Sequence, residues 1–243
     1  MLAFLLSLAT YVFPPVLMYH RVDVDAPRDT VSRDLTITPE TLDAQLRYLR
    51  AKGLAPISMA DFERRYRANK PTNRDVIITF DDGYFDQYGY ALPVLERDRA
   101  DATFYIVTHN VGRGAHVTWA ELQSMLARRM DIEAHGLTHD DLALMDYAKQ
   151  RAEIEGSIEE LKNRLRLKTV SSYAYPSGRF NRDTLRIERA AGVPVAVTTD
   201  ALNVIPPRDA LQVVRIRVRR AWTLEDFAAA VRRALERPQV LPR

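Results

Sequence analysis

The sequence of 243 residues contains no cysteine. Disulfide bonds, thiolate metal ligands and a cysteine nucleophile are therefore excluded, and any metal ion must be held by nitrogen and oxygen atoms. The sequence also has no large excess of either charge, because its 35 Lys and Arg residues are interspersed with 32 Asp and Glu residues, for a net charge of +3. A small, dispersed charge of this kind gives no indication of nucleic-acid binding.

No linker rich in glycine, proline or serine divides the chain, and no internal repeat or low-complexity segment is visible. The length fits one large domain. The N-terminus differs from the rest, because residues 1–13 are almost wholly apolar but too short to span a bilayer as a helix. They also lack the basic start and the small-residue cleavage site of a signal peptide.

We interpret residues 1–15 as an apolar segment separate from the folded domain, which then comprises residues 16–243. The segment ends in Pro14 and Pro15 and has the composition of a trimmed export signal or of an anchor on a membrane surface. A buried first element of the fold is the alternative.

Short apolar runs alternate with amphipathic helical patterns over residues 16–236. Residues 76–80 form an apolar run that contains β-branched residues and is typical of a strand buried on both faces. Thr118 and Thr223 each begin a helix with the spacing of a capping box. Such alternation indicates parallel strands joined by helical crossovers, and hence an α/β fold that is either a barrel or a doubly wound sheet.

Polar side chains suited to catalysis follow several of the predicted strands. Asp81 and Asp82 come directly after residues 76–80, and Gly83 gives the chain the freedom to turn both carboxylates toward one site. Taken alone, Asp-Asp-Gly indicates a solvated turn equally well. The residues at the corresponding positions after other strands are His20, His135, Ser177 and Asp200. Active sites of parallel barrels lie at this end of the strands, which favours the catalytic interpretation.

His135 and His139 are four residues apart, with Gly136 after the first of them. A turn at this point directs both imidazoles toward one place. Two histidines with one carboxylate form a known metal arrangement in hydrolytic and oxidative enzymes. One of the two aspartates is then the third ligand, and the other remains beside the metal as a base for water. A pair of solvated or hydrogen-bonded histidines is the alternative.

The string TFDDG at residues 79–83, followed by H-x-x-x-H at residues 135–139, resembles the first two motifs of the carbohydrate esterase family 4 polysaccharide deacetylases. The resemblance covers residues 16–236 and implies a distorted (β/α) barrel with Asp81 as the general base. It also implies a divalent transition metal ion, zinc in the first place, with nickel, cobalt or iron as alternatives. The residues that it assigns to the metal are Asp82, His135 and His139.

Residues 174–178 read Ala-Tyr-Pro-Ser-Gly where the family carries a third motif that usually reads Arg-Pro-Pro-Tyr-Gly. This match implies that the backbone N–H of Ser177 contacts the oxyanion, a role that does not depend on the side chain, and that Tyr175 belongs to the same substrate-binding turn. The motif arginine that orients the base is replaced by Ala174. Arg215, on the last predicted strand, is our candidate substitute, and a surface or structural arginine is the alternative.

The histidine that serves the family as general acid in a later motif is missing, because no histidine follows His139. Residues 15–22, which include His20, instead resemble the first strand of a circularly permuted branch, the bacterial deacetylases of poly-β-1,6-N-acetylglucosamine. A closed barrel tolerates such a permutation with little change in its packing, because its first and last strands are neighbours. By this resemblance His20 is the acid, and a histidine packed at a strand end is the alternative.

Other polar and aromatic residues carry weaker predictions. His109 and His116 lie in a loop and are interpreted as solvated. Trp119 and Trp222 lie at helix starts, where they either pack against the core or line a sugar-binding surface. Asp200 is interpreted as a support for the site or as a helix cap.

The resemblance implies a monomeric, extracellular or cell-surface enzyme that removes N-acetyl groups from a polysaccharide, with poly-β-1,6-N-acetylglucosamine of biofilm matrix as the first substrate. Peptidoglycan and chitin-type β-1,4-linked glycans are alternative substrates. A carbohydrate-binding domain with little activity is the alternative outside the enzymes. Contact with a membrane surface through residues 1–13 is a further expectation.

Overall fold

The computed structural model describes residues 10–68, 70, 73–199 and 209–242. Its strands are β1 (Thr10–Phe13), β2 (Val16–Tyr19), β3 (Arg21–Val22), β4 (Thr36–Ile37), β5 (Ala55–Ile57), β6 (Asp75–Phe80), β7 (Thr103–Ile106), β8 (Asp131–Ala134), β9 (Ser172–Ala174), β10 (Val195–Thr199), β11 (Val213–Arg217) and β12 (Gln239–Pro242). Its α-helices are α1 (Thr30–Asp34), α2 (Pro39–Ala51), α3 (Met59–Arg67), α4 (Leu92–Arg97), α5 (Trp119–Ala127), α6 (Tyr147–Leu165), α7 (Arg182–Ala191) and α8 (Leu224–Glu236). A π-helical turn, Gln87–Ala91, directly precedes α4.

Seven parallel strands close a barrel around which the helices pack. Their order is β2, β11, β10, β9, β8, β7 and β6, and the ring closes where β6 pairs with β2. The closing register joins Val16 to Ile77 and Tyr19 to Phe80. The predicted α/β barrel is therefore confirmed, and of the two arrangements that the alternation pattern left open the doubly wound sheet is excluded.

β5 distorts the ring at the amino end of β6. Ile77 pairs with Val16 on one side and with Ile57 of β5 on the other. β7 pairs with that second side of β6 only from Thr79 onward. β5 therefore separates β6 from β7 at the amino end of the barrel, whereas the two strands remain paired at the carboxyl end.

Side chains alternate between the barrel interior and the layer beneath the helices, as the twofold period of a strand requires. The interior core includes Ile77, Val197 and Val213, whereas Ile78 and Phe80 belong to the larger core between strands and helices. Because the barrel is lined by alternate residues of each strand, a polar residue that continues this series at a carboxyl end lies over the interior. The position of the site follows from this alternation.

The N-terminal boundary predicted after residue 15 is corrected by the structure. Residues 10–13 form β1, which pairs antiparallel with β12, and Phe13 is buried beside Phe62 with ring centroids 4.8 Å apart. An apolar side chain that covers the end of the barrel gives this stretch a place in the fold. Residues 1–9 lie outside the described residues, so the export signal or anchor stays a prediction. Within the described ranges, no helix combines the length and apolarity needed to cross a membrane.

Candidate metal centre and active site

β6 brings both aspartates to the carboxyl end of the barrel. The interior series of this strand continues from Ile77 through Thr79 to Asp81, which is almost fully buried. Asp82 then adopts a left-handed backbone conformation with φ of 75°, and Gly83 follows with φ of 73°. Two consecutive left-handed residues reverse the alternation of the strand, so that Asp82 faces the same site as Asp81.

β8 and the loop after it bring two imidazoles to the same place. His135 follows β8 directly and is buried, whereas the side chain of His139 is 38% exposed. Gly136 and His139 both have left-handed conformations, with φ of 79° and 72°. The loop therefore turns twice within five residues, which directs both rings toward Asp82 rather than stacking them on one helix face.

The spacing of these three side chains fits a metal ion. One ligand atom from each of Asp82, His135 and His139 lies within 4.8 Å of the others. Asp82 Oδ1 lies 3.5 Å from His135 Nε2 and 3.4 Å from His139 Nε2. Tetrahedral coordination with bonds of about 2.1 Å places ligand atoms roughly 3.4 Å apart. Asp82 Oδ1 is also buried and makes no hydrogen bond to the described residues, as expected of an oxygen suited to bind a cation.

The orientation of His135 supports the same interpretation. Its Nδ1 lies 2.7 Å from the carbonyl oxygen of Ala174, which accepts a hydrogen bond from the ring. This contact holds a proton on Nδ1 and makes Nε2, the nitrogen that faces Asp82, the one available to bind a cation. Metal-binding histidines in proteins are commonly fixed in this way, with the second ring nitrogen held by a backbone carbonyl.

Asp81 is paired with Arg215 of β11, a strand that is separated from β6 in the ring only by β2. Arg215 donates from both terminal nitrogens, to Asp81 Oδ1 at 2.6 Å and to Asp81 Oδ2 at 2.6 Å. The guanidinium also donates to Thr79 Oγ1 at 3.1 Å and lies 5.5 Å from the ring centre of Tyr105. Arg215 is buried, so the pair is a bidentate contact inside the barrel rather than a surface ion pair.

The charges around the two aspartates keep both carboxylates ionised. Burial alone would raise the pKa of Asp81, but the Arg215 guanidinium outweighs it and holds that pKa below its ordinary value. Burial also acts to raise the pKa of Asp82, and the neighbouring histidines, His135 foremost, outweigh it and hold this pKa well below its usual range. Asp82 is therefore suited to bind a cation, and Asp81 is present as the carboxylate rather than as the acid.

His20 lies at the carboxyl end of β2, next to β6 in the ring. Its Nδ1 is buried without a hydrogen bond to the described residues. Burial lowers the pKa of His20, and the negative charges of Asp81 and Asp82 oppose that effect without cancelling it. The imidazole is therefore near both carboxylates, and the described residues show no hydrogen bond between it and either of them.

Ser177 and Tyr175 lie at the carboxyl end of β9 but differ in exposure. Ser177 is exposed and has a left-handed conformation with φ of 57°. Tyr175 is fully buried, and its hydroxyl donates to the carbonyl of Leu211 at 2.9 Å. The substrate contact predicted for Tyr175 is therefore wrong for its side chain, because Tyr175 continues the helix-facing series of β9 and packs beside Phe180.

Among the described residues, those with weaker predictions do not belong to the group formed by Asp82, His135 and His139. His116 stacks on Tyr84 with ring centroids 4.9 Å apart, and His109 is exposed. Trp119 and Trp222 both pack, partly buried, against the core between strands and helices. Asp200 lies outside the described residues.

Glu153 of α6 supports the loop that carries His135 and His139, and it was not predicted from the sequence. Its Oε2 accepts hydrogen bonds from the backbone N–H groups of Leu137 at 2.9 Å and Thr138 at 3.0 Å. Its Oε1 accepts from the Thr138 hydroxyl at 3.0 Å. A glutamate in an amphipathic helix ordinarily reads as solvent-exposed, so only its position on the buried face of α6 signals this role.

A family model described as polysaccharide deacetylase matches residues 68–196, which is more than half of the chain. YxkH, a Bacillus subtilis (strain 168) protein assigned to the polysaccharide deacetylases, is 28% identical over 187 residues, which are 76% of this chain and 64% of that protein. The chain thus spans slightly less than two thirds of the length of that relative. The poly-β-1,6-N-acetyl-D-glucosamine N-deacetylase of Staphylococcus epidermidis is 26% identical over 227 residues, with coverage of 83% of this chain and 78% of that enzyme.

Among solved structures, the Streptococcus pyogenes deacetylase PplD in complex with acetate superposes with a TM-score of 0.78 and 28% sequence identity. The superposition covers 90% of this chain and 97% of that one. The TFDDG and H-x-x-x-H motifs both lie inside the segment that the family model matches. The resemblance to the carbohydrate esterase family 4 deacetylases is confirmed, and the chain belongs to the polysaccharide deacetylase family.

Proposed function

We propose that this protein is a metal-dependent N-deacetylase that releases acetate from N-acetylglucosamine units of an extracellular polysaccharide, with poly-β-1,6-N-acetylglucosamine as its first substrate. The observation that carries the proposal is that a group of three side chains with metal-binding geometry lies beside an ionised carboxylate. Asp82, His135 and His139 have the spacing of a metal site, and Asp81 beside them is held ionised by Arg215. A metal site with an adjacent ionised base is what hydrolysis of an amide by water requires.

A divalent ion held by Asp82, His135 and His139, zinc in the first place, would polarise the acetamide carbonyl and lower the pKa of water at the site. Asp81 accepts the proton of the attacking water as its oxygen bonds to the carbonyl carbon. Arg215 keeps the carboxylate of Asp81 ionised and fixes its direction through two parallel hydrogen bonds.

The other two groups act on the acetamide itself. The backbone N–H of Ser177, in the exposed turn after β9, donates to the carbonyl oxygen as it gains negative charge. His20 donates its proton to the nitrogen as the bond between carbon and nitrogen breaks. The products are acetate and a free amine on the sugar.

Two findings support the permuted arrangement and, through it, the choice of substrate. The family model begins at residue 68 and ends at residue 196, so His20 precedes the matched segment and Arg215 follows it. β2, which carries His20, nevertheless lies between β11 and β6 in the closed ring. The relative from Staphylococcus epidermidis is named for the β-1,6-linked polymer. An extracellular or cell-surface location is part of the proposal, because the polymer is extracellular.

The test is acetate release from β-1,6- and β-1,4-linked N-acetylglucosamine oligomers, measured with zinc added and again with a chelator. We expect faster release from the β-1,6 oligomer and loss of release with the chelator. Asp82→Asn should bind little metal, whereas Asp81→Asn should retain the metal and lose turnover by at least about 100-fold. Normal turnover in Asp81→Asn would remove Asp81 from the role of base, and faster release from the β-1,4 oligomer would contradict the substrate.

A further inference from the structure

Gln87 lies in the first turn after the two aspartates and is fully buried. It begins the π-helical turn Gln87–Ala91, and its carbonyl accepts the N–H of Leu92, five residues later. π-Helical turns are rare and occur frequently at functional sites, where the wider turn redirects one side chain. The side chain redirected here is an amide that points back into the barrel.

The amide of Gln87 joins the backbones of two strands. Its Nε2 donates to the carbonyl oxygen of His20 at 2.6 Å and to that of Asp81 at 2.5 Å. Because both partners are acceptors, only the nitrogen end of the amide satisfies them, and the orientation of the amide is thereby determined. One side chain thus binds the backbone of the residue proposed as acid and that of the residue proposed as base.

This contact begins where the ladder between β2 and β6 ends. The last backbone hydrogen bond between the two strands runs from the N–H of Asp81 to the carbonyl of Tyr19 at 3.0 Å. Beyond this bond, the next carbonyl on each strand belongs to His20 and to Asp81, and both accept a hydrogen bond from Gln87 instead. The Gln87 side chain therefore connects the two strands where their direct hydrogen bonding has ended.

Asp86 secures the same turn from the other side of His20. Its carboxylate accepts from Arg21 Nε at 2.7 Å and from the N–H of Val22 at 3.2 Å. Asp86 is nearly fully buried, whereas the Arg21 side chain that it binds is partly exposed. Gln87 thus holds the carbonyl of His20, and Asp86 holds the backbone of Val22 two residues later.

We propose that Gln87 is a positioning residue that sets the distance between His20 and Asp81, and so aligns general acid with general base across the scissile amide. This inference rests on the proposed function. Misplacement of a catalytic group by about 1 Å costs an enzyme up to roughly 100-fold in rate. Loss of the amide should therefore reduce the proton transfer made by His20 while the metal ligands stay in place.

The test uses two substrates that differ in their need for an acid. An amide nitrogen must be protonated to leave, whereas the phenolate of an aryl acetate ester leaves without a proton. We expect Gln87→Met to lower kcat on the acetylated oligomer by roughly 10- to 100-fold with KM and zinc content unchanged. Its rate on the aryl ester should fall by less than about fivefold, and His20→Ala should show the same pattern.

Gln150→Met is the matched control. Gln150 is also a fully buried glutamine; it lies in α6, and its Nε2 donates to the carbonyl of Met145, just before that helix, at 3.0 Å. This control should keep the ratio of amide to ester rates of the parent protein. In a double variant with His20→Ala, Gln87→Met should cause little further loss, because both changes remove one function.

Gln87→Glu provides a second probe of nearly the same volume, because a carboxylate repels the two carbonyls that the amide binds. We expect Gln87→Glu to lower kcat on the acetylated oligomer as Gln87→Met does, with little effect on the rate with the aryl ester. Equal losses on both substrates, multiplying losses in the double variant, or full oligomer turnover in folded Gln87→Glu would overturn the inference. Absence of metal-dependent acetate release from the parent protein would instead refute the proposed function.

Discussion

Arg215 is the residue that offsets the effect of burial on the pKa of Asp81. Asp81 is enclosed by the barrel, and a buried carboxylate without a partner would take up a proton and cease to be a base. The pairing arginine comes from β11, although the usual motif position for it holds Ala174 at the end of β9. Because β11 and β9 both flank β10, a side chain from either strand is directed at the interior of the same ring.

Arg215→Met is expected to impair the base more than the metal site. Without the guanidinium, burial raises the pKa of Asp81, so a larger fraction of the carboxylate is protonated at any given acidic pH. The acid limb of the pH profile of kcat/KM should move to higher pH, and turnover near neutrality should fall by roughly 100-fold. Unfolding in urea should show a loss of about 3 kcal/mol, because one partner of a buried ion pair is left alone.

Arg219→Met serves as the control for this substitution. Arg219 pairs with Asp34 at 2.6 Å near the surface, where an ion pair contributes little to stability. We expect an unchanged pH profile and a loss of less than about 1 kcal/mol. If Arg215→Met kept the acid limb of the parent enzyme, the guanidinium would have no part in setting the ionisation of Asp81.

At the scale of an element, the turn after β9 depends on close packing against β10. Thr198 donates from its hydroxyl to the carbonyl of Gly178 at 2.6 Å. A Cβ atom on Gly178 would lie 2.8 Å from the backbone nitrogen of Thr199, which cannot move without disturbing β10. Gly178 is also left-handed, with φ of 71°, directly after the left-handed Ser177. The turn that contains Ser177 therefore depends on a glycine at position 178 for its close packing against β10.

Gly178→Ala is expected to damage both the fold and the turn. The methyl group overpacks against β10 and the backbone is strained, for a combined loss of about 3 kcal/mol in urea unfolding. Turnover of the remaining folded protein should fall by at least about 10-fold as the Ser177 N–H is displaced. Gly112→Ala is the control, since Gly112 has φ of 76° but nothing within 4 Å of its Cβ position. A loss of no more than about 1 kcal/mol in both variants would show that φ alone matters.

Sequence patterns predict the elements of this fold well where the signal is local. The capping boxes at Thr118 and Thr223 both form, because the cap and its glutamate or aspartate are only three residues apart. β1 and β12 escaped prediction because they pair across the whole chain and are four residues long. The left-handed conformations of Asp82 and His139 were not predicted either, because glycine is the residue that usually signals this backbone conformation in a sequence.

For the whole molecule, the site could be predicted in part because its two motifs follow β6 and β8, which are separated in the ring only by β7. The metal spacing of Asp82, His135 and His139 follows from the rule that carboxyl ends of parallel strands meet. The contact between Arg215 and Asp81 joins residues 134 apart, and the sequence left a surface or structural arginine as an equal alternative. Only the ring order, in which β11 and β6 both flank β2, brings them together.

The two ends of the barrel hold opposite electrostatic arrangements. At the carboxyl end, Arg215 and the histidines keep buried carboxylates ionised. At the amino end, β8 carries Asp131 and Glu133, which lie close enough for the charge of Asp131 to act on Glu133. Glu133 accepts hydrogen bonds from the backbone of Ser171 and Ser172, and burial and the charge of Asp131 raise its pKa. The amino end therefore favours neutral acids.

Asp131→Asn should stabilise the protein near neutral pH and change little in acid. Burial raises the pKa of Asp131 from 3.8 to about 6. The protonated form is thus favoured by folding, and the stability it supplies is present below about pH 4 and lost as the pH rises through about 6. Asparagine keeps an oxygen for Ala60 N–H and the Thr103 hydroxyl but cannot ionise. We expect a gain of roughly 2 to 3 kcal/mol at pH of about 7, measured by urea unfolding from about pH 4 upward.

Asp29→Asn is the control of opposite sign. Asp29 is exposed at the start of α1, where its hydrogen bond from the Ser32 backbone lowers its pKa, so its ionised form is favoured by folding. Its replacement should bring no gain at neutral pH. The proposed metal ligands are unchanged in both variants and in the parent, so the difference between unfolding curves isolates each aspartate. A stability difference for Asp131→Asn that stayed constant across the pH range would mean that Asp131 ionises no differently in the folded barrel than in the unfolded chain.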